Sequence, residues 1–285
     1  VVFYWAGESM KYDLWEPKRR IETNYAQSLA NFLKSLWKMA LGLEDPLEIE
    51  NIFRYASLTD KFKKFAEAAA SKMVTSLFTD AGRTWRTAAR ENARGRELYQ
   101  ALQNELMGPV GDRVFDEIIR NAELIKSLPI DTAEYINRHV RNEVINGKRA
   151  SDIAREIKQF FPEKSRARAD LIARTEVSKV NTVLTQARCE NIGIGWYVWR
   201  TEKDARVRES HRLMEGVLVN WSDPPSPEDL AGERSYGKYH AGNIFNCRCY
   251  PEPLTRIDLI QWPHKVYIGG EIQMMTKAKF ERISA

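Results

Sequence analysis

The apolar residues of this chain change their period once, at Gly193 and Gly195, and that change constrains the fold more than any other feature. Before it the spacing is helical. Ile21, Tyr25, Leu29, Phe32, Leu36 and Met39 recur at three and four, which predicts a helix that opens near Pro17 and ends at Gly42. Phe62, Phe65, Ala69, Met73 and Leu77 predict a second over residues 58–78, and a charged third helix is expected over 83–106, closed by Gly108-Pro109. Segments 114–125 and 132–145 follow, parted by Leu128-Pro129. A short amphipathic helix over 151–160 should stop at Pro162, before a long one over 164–191. After the glycines, Trp196-Tyr197-Val198-Trp199-Arg200 is aromatic and β-branched and reads as a strand, with Val217-Leu218-Val219 as another. The expectation is an α-rich α+β chain. A helical region (16–147) precedes a small domain in which a long helix packs on a short antiparallel sheet, and a tail (254–285) ends in a short helix.

Composition narrows the class. The chain has 285 residues, 43% of them hydrophobic and 29% charged, and no long uncharged apolar run, so no membrane span is expected. Three cysteines are too few for a disulfide framework and agree with a reducing compartment. The first residues meet Glu8, Lys11 and Asp13 too soon for a secretory leader, and the missing initiator Met suits a portion of a longer chain. Residues 1–15 read either as a hydrophobic arm, with Phe3, Tyr4, Trp5 and Trp15 expected to dock on a partner, or as a strand or irregular lead-in to the core. A net charge of +5 permits non-specific contact with DNA. Arg83, Arg86, Arg90, Arg94 and Arg96 are interleaved with Glu91 and Glu97, as on a solvated helix face.

Chemistry-bearing residues collect between Tyr239 and Pro253. Cys247 and Cys249 stand two apart, so an extended segment would put both sulfurs on one face and Arg248 on the other. With His211 and His240 they make four ligands of the types tetrahedral zinc takes, which predicts a structural zinc site. The competing reading is a pair of small buried thiols in the core, with both histidines bonded to backbone. A metal-dependent nuclease built from Asp204, His211, His240 and Asn246 is the enzymatic alternative, and a Cys247–His240 nucleophile a weaker one. Only one acid stands near the histidines, so a structural role without catalytic residues is favoured. If Asp204 to His211 is helical, Asp204, Arg208 and His211 share a face. Arg174, Arg206, Arg208 and Arg248 are expected to pair with Glu176 and Asp204 and fix a domain of limited core.

Arg174-Thr175-Glu176, Trp199, the run from Asp204 to His211, Gly216, and His240 through Cys249 with Pro251 together resemble the phage Mu F-like family of minor head, or head-morphogenesis, proteins. The resemblance covers residues 148–253. It implies a virion component of a tailed bacteriophage, made in the host cytoplasm and placed near the portal vertex. Its implied partners are the portal and other head proteins, and its implied role is head assembly, genome packaging or ejection.

Overall fold

The computed structural model describes residues 15–91 and 100–284. Its contacts divide into two compact units, each drawn from separate stretches of chain. One comprises residues 19–75 and 115–174, and the other, among the described residues, 15–18, 76–91, 100–114 and 175–284. The units interleave, so neither coincides with the segments 16–147 or 148–253 read from the sequence.

The first unit is helical. Helix α1 (Arg19–Ala40) buries Ile21, Tyr25, Leu29, Leu33, Leu36 and Trp37 along one stripe. Helix α2 (Pro46–Ala56) starts where Asp45 accepts a hydrogen bond from the Leu47 amide at 2.9 Å and proline occupies the first turn. The sequence reading passed over this helix. Helix α3 (Asp60–Glu91) runs on past residue 78, and its first half belongs to this unit. Helices α4 (Pro109–Ile145) and α5 (Ala150–Asn191) each contain a proline, at 129 and 162, where the sequence predicts a break. In both, the residues flanking the proline are buried: Ile125, Leu128, Ala133 and Ile136 in α4, Ile157, Phe161, Ala169 and Ile172 in α5. Packing on both sides of the ring outweighs a lost backbone hydrogen bond and a clash of about 3 kcal/mol.

The second unit carries a five-stranded sheet in the order β3-β1-β2-β4-β5: β1 (Trp196–Arg200), β2 (Leu218–Asn220), β3 (Tyr250–Pro253), β4 (His264–Ile268) and β5 (Glu271–Met275). Strand β1 pairs antiparallel with β2 and β3, and β4 with β5. The β2–β4 pair is parallel through Leu218 and Val266, so the sheet is mixed rather than purely antiparallel. The α-rich α+β class is the one found.

Alternation along β1 separates two cores. Trp196 and Val198 pack with Leu218, Val266, Met275 and Phe280, the last from helix α8 (Lys277–Ser284). Tyr197 and Trp199 point the other way, into a cluster with Trp85 of α3, Cys189 of α5, Val219, Trp221, Tyr239, Cys247 and Cys249. Trp15 belongs to this second cluster. It is 7% exposed and meets Trp85 edge-on, with ring centroids 5.0 Å apart. Trp15 is therefore core and not a docking residue, whereas Phe3, Tyr4 and Trp5 lie outside the described residues. Among the described residues no helix is long and apolar enough to cross a membrane.

Candidate functional site

The site is built on the face of β1 that carries Trp199. Two short helices flank it, α6 (Glu209–Leu213) and α7 (Pro227–Leu230). The expected helix over 204–211 is mostly a turn. Asp204 accepts from the Arg206 amide at 2.9 Å, and Arg208 is extended (φ −61°, ψ 148°), so α6 begins at Glu209. Asp204, Arg208 and His211 consequently share no helix face. His211 falls in the middle of α6, 2% exposed, with its ring 5.8 Å from that of Trp199.

Cys247 and Cys249 precede β3 and are not in a strand. Asn246 adopts φ +54°, and the Cys249 amide donates to Cys247 Sγ at 3.4 Å. This tight turn brings the sulfurs together where a strand was expected to do so. His211 Nδ1 lies 3.5 Å from Cys247 Sγ and 3.4 Å from Cys249 Sγ. On the far side of the ring, His211 Nε2 is 3.0 Å from the Tyr239 hydroxyl, which donates to Glu228 Oε1 at 2.6 Å. Glu228 Oε1 itself is 3.6 Å from His211 Nε2. Glu228 and Tyr239 were missed by sequence reasoning. The Pro-rich segment holding Glu228 reads only as a loop, and nothing local shows that Pro227 starts a helical turn aimed at His211.

Burial and neighbouring charge set the protonation of these groups. A hydrogen bond from Cys249, aided by His211, holds the Cys247 thiol well below its ordinary range, and the same bond to Cys247, aided by burial, raises Cys249. Burial, then the Glu228 carboxylate, pushes the Tyr239 hydroxyl up and keeps it neutral.

His240 is elsewhere. Its Nδ1 lies 3.2 Å from the Tyr197 hydroxyl and its ring 5.0 Å from that of Trp221, and burial pulls it down to about 4. Among the described residues the group with metal-ligand spacing is His211, Cys247 and Cys249, which corrects the four-ligand set by removing His240. The nuclease constellation is not assembled either. Asp204 receives two bonds from Arg248 at 2.6 and 2.7 Å, which hold its carboxyl well below the usual carboxylate range. The Asn246 amide donates to Thr175 at 2.9 Å.

The expected ion-pair cluster forms in part. Asp204, Arg206 and Arg248 come together. Arg174 instead reaches Glu22 at 3.4 Å, and Glu176 is 3.7 Å from Lys179. Arg208 donates to the Phe245 carbonyl at 3.0 Å and lies over the Phe245 ring, 4.6 Å from its centroid.

Residues 134–251 match the family model described as Phage Mu protein F like protein, and every member of the thiol–imidazole–carboxylate cluster falls inside that span. This region is Mu F-like. The Mu F-like span takes in the end of α4, all of α5 and the chain through to the first residues of β3, and it stops before β4 and β5. This likeness suggests a phage head-morphogenesis protein. An uncharacterized protein of Haemophilus influenzae is 28% identical over 264 residues, 87% of this chain. The chain spans 56% of that relative's length. No solved structure matches the chain.

Proposed function

We propose that this chain is a structural minor head protein of a tailed bacteriophage, placed near the portal vertex, where it assists head assembly and the packaging or ejection of the genome. The observation that carries the reading is the Mu F-like match over residues 134–251, because it spans α5 and the loop system that α5 holds in place. The portal and other head proteins are its partners in this reading, with DNA touched without sequence preference.

The geometry supports a structural role over a nuclease. Asp204 is occupied by two arginines, and His211 and His240 stand beside hydroxyls, thiols and the single carboxylate of Glu228 rather than a cluster of carboxylates. Peptide mass spectrometry of purified particles from a phage carrying this gene tests the proposal. The chain should be present in few copies per particle, and its deletion should leave particles that fail to deliver DNA. Particles that lack the chain yet infect normally would refute it.

A further inference from the structure

We propose that His211, Cys247 and Cys249 bind a single zinc ion, with Tyr239 and Glu228 supporting the imidazole from behind and His240 taking no part. The three ligand atoms lie within 4.8 Å of one another, and each residue is almost fully buried. A tetrahedral zinc with bonds near ~2.0 Å to nitrogen and ~2.3 Å to sulfur has nitrogen–sulfur edges of about 3.5 Å. The two separations from His211 Nδ1 are 3.5 and 3.4 Å.

Hydrogen bonding behind the ring points the same way. The Tyr239 hydroxyl has one proton, and its short bond to Glu228 Oε1 uses it. The hydroxyl must therefore accept from His211 Nε2–H, and Nδ1 is the ring nitrogen that faces the two sulfurs. One nitrogen cannot make a good hydrogen bond to both sulfurs at once, whereas a cation bonded to the nitrogen and both sulfurs satisfies all three. Glu228 adds an independent observation. It is 1% exposed and its Oε2 has no hydrogen-bond partner among the described residues, a buried and unsatisfied carboxyl oxygen beside the ring that would carry the metal. A carboxylate behind a ligating histidine fixes the tautomer and strengthens the ligand. Two thiolates and an imidazole select a soft divalent ion of the zinc type. Three protein ligands leave one coordination position for water or another small ligand.

The test uses the full chain, purified under reducing conditions with zinc supplied and then dialysed against a weak chelator. Elemental mass spectrometry should find one equivalent of zinc per chain, kept by His240→Gln and lost from both His211→Gln and Cys249→Ser. Loss of a ligand can also unfold the domain, so the unmodified chain supplies a second readout. Cobalt exchanged into it should show thiolate-to-metal charge-transfer absorption, and a mercurial that caps thiols should release the metal. Glu228→Gln should weaken zinc binding by about 10–100-fold. Parent protein without metal above background overturns the proposal, as does zinc retained by both ligand variants. Rapid alkylation of Cys247 in the zinc-supplied parent also overturns it, in favour of a reactive imidazolium–thiolate pair.

Discussion

Arg188 and Glu105 offer a quantitative test of how the sheet-bearing unit is held. Arg188, on α5, is 1% exposed, and Glu105 opens a turn of 3-10 helix (Glu105–Met107) and is 7% exposed. The guanidinium meets the carboxylate twice, Nε to Oε2 at 2.7 Å and Nη2 to Oε1 at 2.9 Å. Its Nη2 also donates to the Phe78 carbonyl at 3.0 Å, and the Phe78 ring centroid is 4.6 Å away. Arg188→Met would strand a buried carboxylate and remove the donor to Phe78, so it should cost about 3–5 kcal/mol. The ring contact adds about 1 kcal/mol. The double variant Arg188→Met/Glu105→Leu removes both charges, and similar packing volume makes it close to neutral, within about 1–2 kcal/mol of the parent. Urea unfolding followed by tryptophan fluorescence is a suitable assay. Trp15, Trp85, Trp196, Trp199, Trp221 and Trp262 lie in this unit, and Trp37 in the other. A single variant that loses less than about 1 kcal/mol, or a double variant as unstable as the two singles added together, would refute the reasoning.

Three further outcomes are expected. Gly242 sits at φ +84°, and a Cβ there would meet the Cys249 carbonyl at 2.6 Å and Thr182 Oγ1 at 2.7 Å, so Gly242→Ala should lower stability by about 2–4 kcal/mol in a denaturant titration. His240, held near 4 by burial against about 6.5 unfolded, binds fewer protons folded than unfolded between those values. Its contribution of about 3 kcal/mol is complete above about pH 6.5 and lost as the pH falls through about 4, and His240→Gln should flatten that part of the stability–pH curve. An unchanged curve in the variant would contradict the assignment. Binding of this +5 chain to DNA should be indifferent to sequence and weaken steeply between about 50 and 200 mM salt, which fluorescence anisotropy on two unrelated duplexes would check.

Most of the long helices and β1 were legible because each carries its own period, whereas α2 and the short turn of α7 were not. Ile21 to Leu36 on α1 and Trp196 to Arg200 on β1 declare helix and strand without any tertiary information. Pro129 and Pro162 misled because a proline's local cost is visible in the sequence while the buried residues that offset it are not. Strands β4 and β5 were not read as strands. Lys265, Glu271 and Gln273 interrupt them. The parallel β2–β4 pairing was beyond reach for a different reason. It joins segments nearly fifty residues apart, and the hydrophobic pattern says nothing of which edge a late strand will choose.

The site was legible as a set of residues but not as an arrangement, and the reason lies in how the loop before β3 is held. That loop, from His240 to Cys249, lacks a strand ladder of its own, so side chains from elsewhere hold it in place. Thr175 takes the Asn246 amide, and Thr182 donates to the Ala241 carbonyl at 2.6 Å. Gly242 lets the backbone press against Ser178 and Thr182. Asp204 holds Arg248 between the two cysteines, and Arg208 holds the Phe245 carbonyl. The sequence showed these residues as separate clusters and suggested ion pairs among them, because charge is what residue letters reveal. Most of the fastenings are instead hydroxyl or guanidinium bonds to the backbone of the loop, which no letter in the loop announces. Taken together, the scattered clusters serve one end: each fixes a different point of a single irregular segment, so that both sulfurs meet Nδ1 of His211.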